Sequence, residues 1–239
     1  MATITYPLYL IFGVFPSIVW LLFYLRKDAH PESNRMILKI FFYGMATAIP
    51  AILLEMGIGE KIKEFDLPPF LFLILNIFFV VALVEEFLKY LVVRGEVLKS
   101  SELDEPIDVM LYMIIAALGF AASENILILF TLGPTFLFGE TLSLTVFRFL
   151  GATFLHALCS GLLGYFLALS FFETKKRGRF LIFGLGIAAF LHGLYNFSII
   201  KIEGSLTFLI PVIVLIGLAI FLTYSFQRLK KLKSVCKIN

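Results

Sequence analysis

A chain of 239 residues that is 60% hydrophobic, only 15% charged and of mean hydropathy +0.98 lies far from the quarter-charged balance of a soluble domain. Its composition excludes a soluble enzyme, and its net charge of +3 is too small to demand a nucleic-acid partner. Two cysteines, Cys159 in an apolar stretch and Cys236 in a basic tail, imply no disulfide framework.

The apolar segments mostly run to about 20 residues or more, the length a helix needs to cross a hydrocarbon core of about 30 Å; barrel strands would alternate in segments of about ten. Seven spans emerge, near 6–25, 36–57, 68–93, 107–132, 143–172, 180–200 and 206–226. They predict an all-α, multi-pass membrane bundle with residues 1–239 as one domain. The first, Tyr6 to Leu25, lacks a basic n-region and a small-residue cleavage site and runs into Arg26-Lys27, so it reads as a retained helix. Alternating the connections between two sides gives fifteen Lys and Arg on one side and Lys61, Lys63 and Lys201 on the other. The positive-inside rule then places the N-terminus outside and the C-terminus in the cytoplasm of a cell-membrane protein. The net charge reports this topology, and the basic tail, with Lys233 and Lys237, is suited to anionic lipid.

In chain order, span 1 carries Gly13 and Pro16 and span 2 carries Gly44 and Pro50, which in a bundle mark kinks or close packing. Glu55, near the outer end of span 2, reads as an interfacial charge without chemistry. Span 3 contains Val84-Glu85-Glu86-Phe87-Leu88-Lys89-Tyr90, two carboxylates and an ammonium inside an apolar run. Each such charge costs about 2.5 to 3.5 kcal/mol at bilayer depth, so a cluster of three points to a site. On a helix Lys89 lies three residues from Glu86 and four from Glu85, within reach of both.

A polar connection, Gly95 to Glu105, leads to Glu105-Pro106-Ile107-Asp108, where proline and acids suit the start of span 4. That span later presents Glu124-Asn125 at depth behind Gly119-Phe120-Ala121. Span 5 carries Arg148 toward its outer end, where an interfacial role and an ion pair with a buried acid are both open. It also carries His156 in a narrow stripe, Ala152, His156, Ser160 and Gly164, that lets backbones approach. Cys159 reads as a packing residue, since an apolar setting disfavours the thiolate. Span 6 places His192 and Asn196 one turn apart, and span 7 reads as scaffold.

Glu85, Glu86, Lys89, Glu124, His156, His192 and Asn196 therefore gather from four consecutive spans. A carboxylate can take a proton from water while imidazole and carboxamide donate to an oxyanion, which is peptide hydrolysis without a serine or cysteine nucleophile. Counting about 1.5 Å per residue raises a difficulty: Glu124, His156 and His192 lie roughly 18 to 26 Å from their cytoplasmic helix ends, but Glu86 only about 12 Å from Arg94. Tilt, or a third helix that continues toward Lys99, would close that gap.

The run Glu85-Glu86-Xaa-Xaa-Lys89, the Glu105-Pro-Xaa-Asp108 and Tyr112 ahead of Gly119-Phe120-Ala121-Xaa-Xaa-Glu124-Asn125, the Arg148 to His156-Ala-Leu segment and His192-Xaa-Xaa-Xaa-Asn196 together resemble the PrsW family. These are glutamate-dependent intramembrane proteases related to the type II CAAX prenyl endopeptidases. The resemblance covers about residues 80–200. It implies site-1 cleavage of a single-pass membrane protein, with an anti-sigma factor as the best-known kind of substrate. By analogy with the CAAX enzymes, Glu85 activates water and Glu86 is its positioned partner, although spacing alone leaves the order of the two open. His156 then assists the water or protonates the leaving amine, and His192 with Asn196 holds the oxyanion. The CAAX enzymes have a histidine where this chain has Glu124, which leaves its role as second acid or ligand open.

On this reading no cofactor is required. Two alternatives compete: a divalent transition metal held by Glu85, Glu86, Glu124, His156 and His192, and a transporter or ion relay, which also uses buried acids and histidines. Inverted repeats are not visible, which weighs against transport. A seven-helix receptor would give no reason for the paired glutamates.

Overall fold

The computed structural model describes residues 6–28, 30–100, 102–131, 138–204 and 206–232. The tail residues Lys233, Cys236 and Lys237 lie outside the described residues, so the lipid-facing role expected for the tail has no structural counterpart here. Among the described residues all regular structure is helical, and seven helical stretches are long and apolar enough to cross a membrane. The first two spans are α1 (Tyr6–Leu25) and α2 (Asn34–Lys63). Span 3 is composite: α3 (Pro69–Leu75), a π-helical segment (Asn76–Ala82) and α4 (Leu83–Glu96). Span 4 is α5 (Pro106–Thr131), span 5 is α6 (Phe138–Leu150) followed by α7 (Ala152–Phe172), and the last two are α8 (Arg177–Lys201) and α9 (Leu206–Leu229).

The bundle is built around α5, in which every residue from Pro106 to Ala122 is buried. A helix apolar on all sides has no lipid-facing stripe and belongs at the centre. Its backbone is approached closely by α2. A Cβ on Gly44 would strike the carbonyl of Ala116, and one on Gly119 would strike the carbonyl of Phe41. Two small residues facing each other's helix backbone thus set the α2–α5 separation, as in membrane helix pairs generally. At its start Asp108 accepts from the backbone N–H of Glu105 (2.7 Å) and Asp104 (3.1 Å), while Tyr112 donates to Glu32 in the α1–α2 connection. The Glu-Pro-Xaa-Asp helix start is therefore also a clasp between two connections.

Two irregularities lie on the spans that carry chemistry, and period alone did not anticipate either. In the π segment each N–H reaches one residue further back than in an α-helix. It ends directly before α4, so it sets the direction in which Glu85, Glu86 and Lys89 point. Its Phe78 ring lies against Gly193 of α8, where a Cβ would come within 2.6 Å of the ring. The second irregularity is a break at Gly151 (φ −105°, ψ −96°), which divides span 5 into α6 and α7. A Cβ there would meet the Tyr195 hydroxyl, with the Phe147 carbonyl at 2.9 Å. A break at bilayer depth must re-satisfy its backbone groups inside the protein. Gly151 donates to the Phe147 carbonyl (2.9 Å), and Trp20 of α1 donates its indole N–H to the Phe149 carbonyl (2.9 Å).

The expected mismatch in depth is absent: α4 runs on to Glu96, and Glu86 meets His192 directly.

Candidate active site

The helical period places Lys89 one turn beyond the two glutamates, and the fold then closes α7 and α8 over all three. The ammonium is completely buried and has three N–H donors. They go to Glu86 Oε1 (2.8 Å), Glu85 Oε2 (3.3 Å) and His156 Nδ1 (2.8 Å). The Phe120 ring lies 4.4 Å from the same ammonium, whose charge its face stabilises. A buried charge is tolerated only when paired and fully hydrogen-bonded, and Lys89 meets both conditions.

This network fixes both imidazoles. Because an ammonium only donates, His156 Nδ1 accepts, and the neutral ring carries its proton on Nε2, which donates to Glu124 Oε2 (3.0 Å). Glu124 is held in turn by Arg148 Nη2 (2.7 Å), while Arg148 Nε donates to the Asn125 amide oxygen. On the other side His192 Nδ1 donates to Glu86 Oε1 (3.1 Å), and Ser160 donates to Glu86 Oε2 (2.7 Å). Glu86 thus receives three hydrogen bonds and is wholly buried. Glu85 is less satisfied: its closest cationic partner is the longer ammonium contact, and its Oε2 lies 3.7 Å from His156 Nδ1 and 3.9 Å from His192 Nε2.

A cavity of about 150 Å³ opens onto this network. One wall is polar, formed by Glu124, Arg148, His156, His192 and Asn196, and the other is apolar, with Leu144, Phe147, Leu155, Ile199 and Ile200. The Glu124 side chain is 33% exposed, against 6% for Glu85 and 0% for Glu86, so of the three carboxylates Glu124 is nearest free space.

All seven residues predicted from sequence therefore stand in or beside one site: six joined through polar contacts, with Asn196 on the wall of the same cavity. Three more belong to it. Arg148 takes the ion-pair alternative and leaves the interfacial one. Ser160 was visible only as a small residue in the α7 stripe. Asn125 joins the polar floor, donating to the Gly13 carbonyl (3.2 Å) and to Thr153 Oγ1 (3.0 Å). Glu55 is half-buried on α2. Cys159 is buried packing, as its surroundings predicted.

The donor set also fits a divalent metal. One atom each of Glu85, His156 and His192 lie within 4.8 Å of one another, and two imidazoles with one carboxylate is a ligand set known from catalytic zinc. The other nitrogen of each ring is held by a carboxylate, Glu124 or Glu86, as metal-binding histidines require. Only the Lys89 contact to His156 Nδ1 competes for the same lone pair, and Lys89 retains Glu86 as a second anchor.

Comparison with known proteins bears on this geometry. Residues 32–224 match the model of a family described as "PrsW family intramembrane metalloprotease". Among curated proteins, the chain is 27% identical over 230 residues to "Protease PrsW" of Oceanobacillus iheyensis, covering 95% of this chain and 97% of that one. It is 31% identical over 193 residues to the protein of the same name from Geobacillus kaustophilus, covering 80% and 79%. The Bacillus subtilis counterpart is 26% identical over 232 residues, 93% and 94% of the two chains. No solved structure matches.

Proposed function

Because the chain belongs to the PrsW family of intramembrane proteases, we propose that it is an endopeptidase that cuts a single-pass membrane protein by site-1 cleavage, with an anti-sigma factor as the kind of substrate, and that Glu85 activates the water. Family membership makes the chain a multi-pass membrane peptidase and sets aside the transporter, ion-relay and receptor readings.

The carrying observation is the inequality among the three carboxylates. Glu86 is saturated by Lys89, His192 and Ser160, and Glu124 Oε2 already accepts from Arg148 and His156. Glu85 has the weakest hold and lies within 4 Å of both imidazoles, which leaves it the capacity to receive a proton. Water oxygen bonds to the carbonyl carbon as its proton passes to Glu85, and the carbonyl becomes an oxyanion. Collapse breaks the C–N bond, the proton passes by way of His156 to the leaving nitrogen, and the second water proton follows from the new carboxyl, so a carboxylate and an ammonium are released. Glu124 keeps the His156 ring in register, Glu86 does the same for His192, and Lys89 anchors both glutamates by donating to each. The Asn196 amide, and His192 Nε2 when that ring is protonated, donate to the oxyanion.

A second reading rests on the convergence of Glu85, His156 and His192. These residues would hold a divalent metal, which when bound supplies Lewis acidity and lowers the cost of deprotonating water.

Glu85→Gln keeps shape and hydrogen bonding but removes the basic oxygen, so turnover should fall by about two to four orders of magnitude with normal insertion. Cleavage at the wild-type rate by Glu85→Gln, scored as new N-termini of a single-pass substrate in proteoliposomes, would refute the assignment. The orientation, N-terminus outside and C-terminus cytoplasmic in the cell membrane, is proposed from the charge bias, and a reporter fused after Asn239 that reads as external would reverse it.

A further inference from the structure

We propose that Arg148 touches the substrate: its guanidinium donates to the carbonyl oxygen of the scissile bond and to the oxyanion that replaces it. This rests on the endopeptidase reading above. Arg148 lines the cavity from the last turn of α6, immediately before the Gly151 break. A guanidinium has five N–H donors in a rigid fork. Nε is spent on Asn125 and one N–H of Nη2 on Glu124, so the remaining three, both of Nη1 among them, have no acceptor among the described residues. Two anchored nitrogens leave the third fixed in direction, the preorganisation an oxyanion donor requires.

The other candidate donors are less well placed. His192 spends Nδ1 on Glu86, so its neutral ring offers a lone pair at Nε2 and can donate there only after protonation. Asn196 supplies an uncharged amide from the same wall. Arg148 alone among the cavity residues carries a permanent charge with donors to spare, and charge-assisted hydrogen bonds are about twice as strong as neutral ones. The break at Gly151 serves this placement. It ends α6 where Arg148 sits, and the Tyr195 hydroxyl fills the space a Cβ would need.

The alternative is that Arg148 only positions Glu124, and a kinetic cycle in proteoliposomes with a single-pass substrate cleaved by the wild type separates the two. Arg148→Met should lower kcat by about 100- to 1000-fold with a much smaller effect on KM, because the hydrogen bond strengthens as the carbonyl becomes an oxyanion. Added to Glu124→Gln, it should still cost about tenfold or more. If it costs nothing further there, Arg148 acts through Glu124 alone and the proposal fails; it fails equally if Arg148→Met turns over at the wild-type rate. Should Arg148→Met not insert, Arg148→Lys decides, because lysine keeps the pairing with Glu124 but loses the fork. A tenfold or larger fall in kcat at constant KM supports the proposal, and wild-type kcat overturns it. Glu85→Gln is assayed in parallel: if it stays active while the arginine variants fail, the base assignment is wrong and the arginine's role stands. A wild type that cleaves no single-pass protein overturns both.

Discussion

Lys89→Met tests whether the buried charges are a closed unit. The substitution preserves length and apolar packing but removes an ammonium that lies 2.8 Å from Glu86 and 3.3 Å from Glu85. At an effective dielectric near 20, each attraction amounts to about 5 to 6 kcal/mol before desolvation is counted. With the ammonium gone, two adjacent carboxylates remain in a dry interior and His156 Nδ1 loses its donor. Uptake of one shared proton relieves part of this, and the expected net loss is about 3 to 5 kcal/mol, the usual consequence of orphaning one side of a buried ion pair. Removing all three charges, by Lys89→Met with Glu85→Gln and Glu86→Gln, should recover most of that loss, because the desolvation cost leaves with the charges. Stability is read from equilibrium unfolding in mixed detergent micelles, with the wild type and both variants side by side. A Lys89→Met loss below about 1 kcal/mol, or a triple variant no more stable than the single one, would refute the picture of three mutually compensating charges.

Three further expectations follow from other parts of the structure. Hydrolysis should persist after stringent chelation; activity lost on chelation and restored by one equivalent of a transition metal would make Glu85, His156 and His192 ligands. Gly151→Ala drives a methyl into the Tyr195 hydroxyl beside a fixed backbone carbonyl, so it should cost about 1 to 3 kcal/mol in the same unfolding assay, and a neutral effect would contradict the close approach of α8 to the break. Burial holds the Glu32 carboxyl above its ordinary value of 4.5, despite the hydrogen bond from Tyr112. A raised folded value means stability that is complete below the ordinary value and is lost as pH rises through the raised one. Glu32→Gln should therefore flatten the decline in stability above about pH 4.5, and an unchanged slope would discount Glu32 as its source.

The seven spans were legible because membrane thickness imposes a length and an apolarity that survive any packing detail. Glu85, Glu86 and Lys89 stood out for the same reason: charge at that depth has no neutral explanation. Arg148 was ambiguous because sequence gives distance from a helix end, and the deciding contacts, Glu124 and Asn125, lie 24 and 23 residues away. Ser160 was hidden because a small residue on a packing stripe looks the same whether or not its hydroxyl finds a carboxylate. The π segment left no trace in Asn76 to Ala82, an apolar run but for Asn76, whose Phe78 packs against Gly193 of α8. The break at Gly151 had a glycine to mark it, but nothing in its neighbours separated a break from a packing contact.

The Trp20 indole that caps the broken span is also the chain's sole tryptophan. It is stacked at 4.0 Å on Phe154 of α7 and at 5.3 Å on Phe149 of α6, so it bridges the two halves of span 5. All tryptophan emission from this protein therefore originates at the α6–α7 junction, next door to Arg148. A ligand that enters the cavity and moves α6 must change either the stacking or the indole hydrogen bond. The emission wavelength and lifetime of the unlabelled protein are thus a built-in optical readout of events at the site, available without introducing a probe.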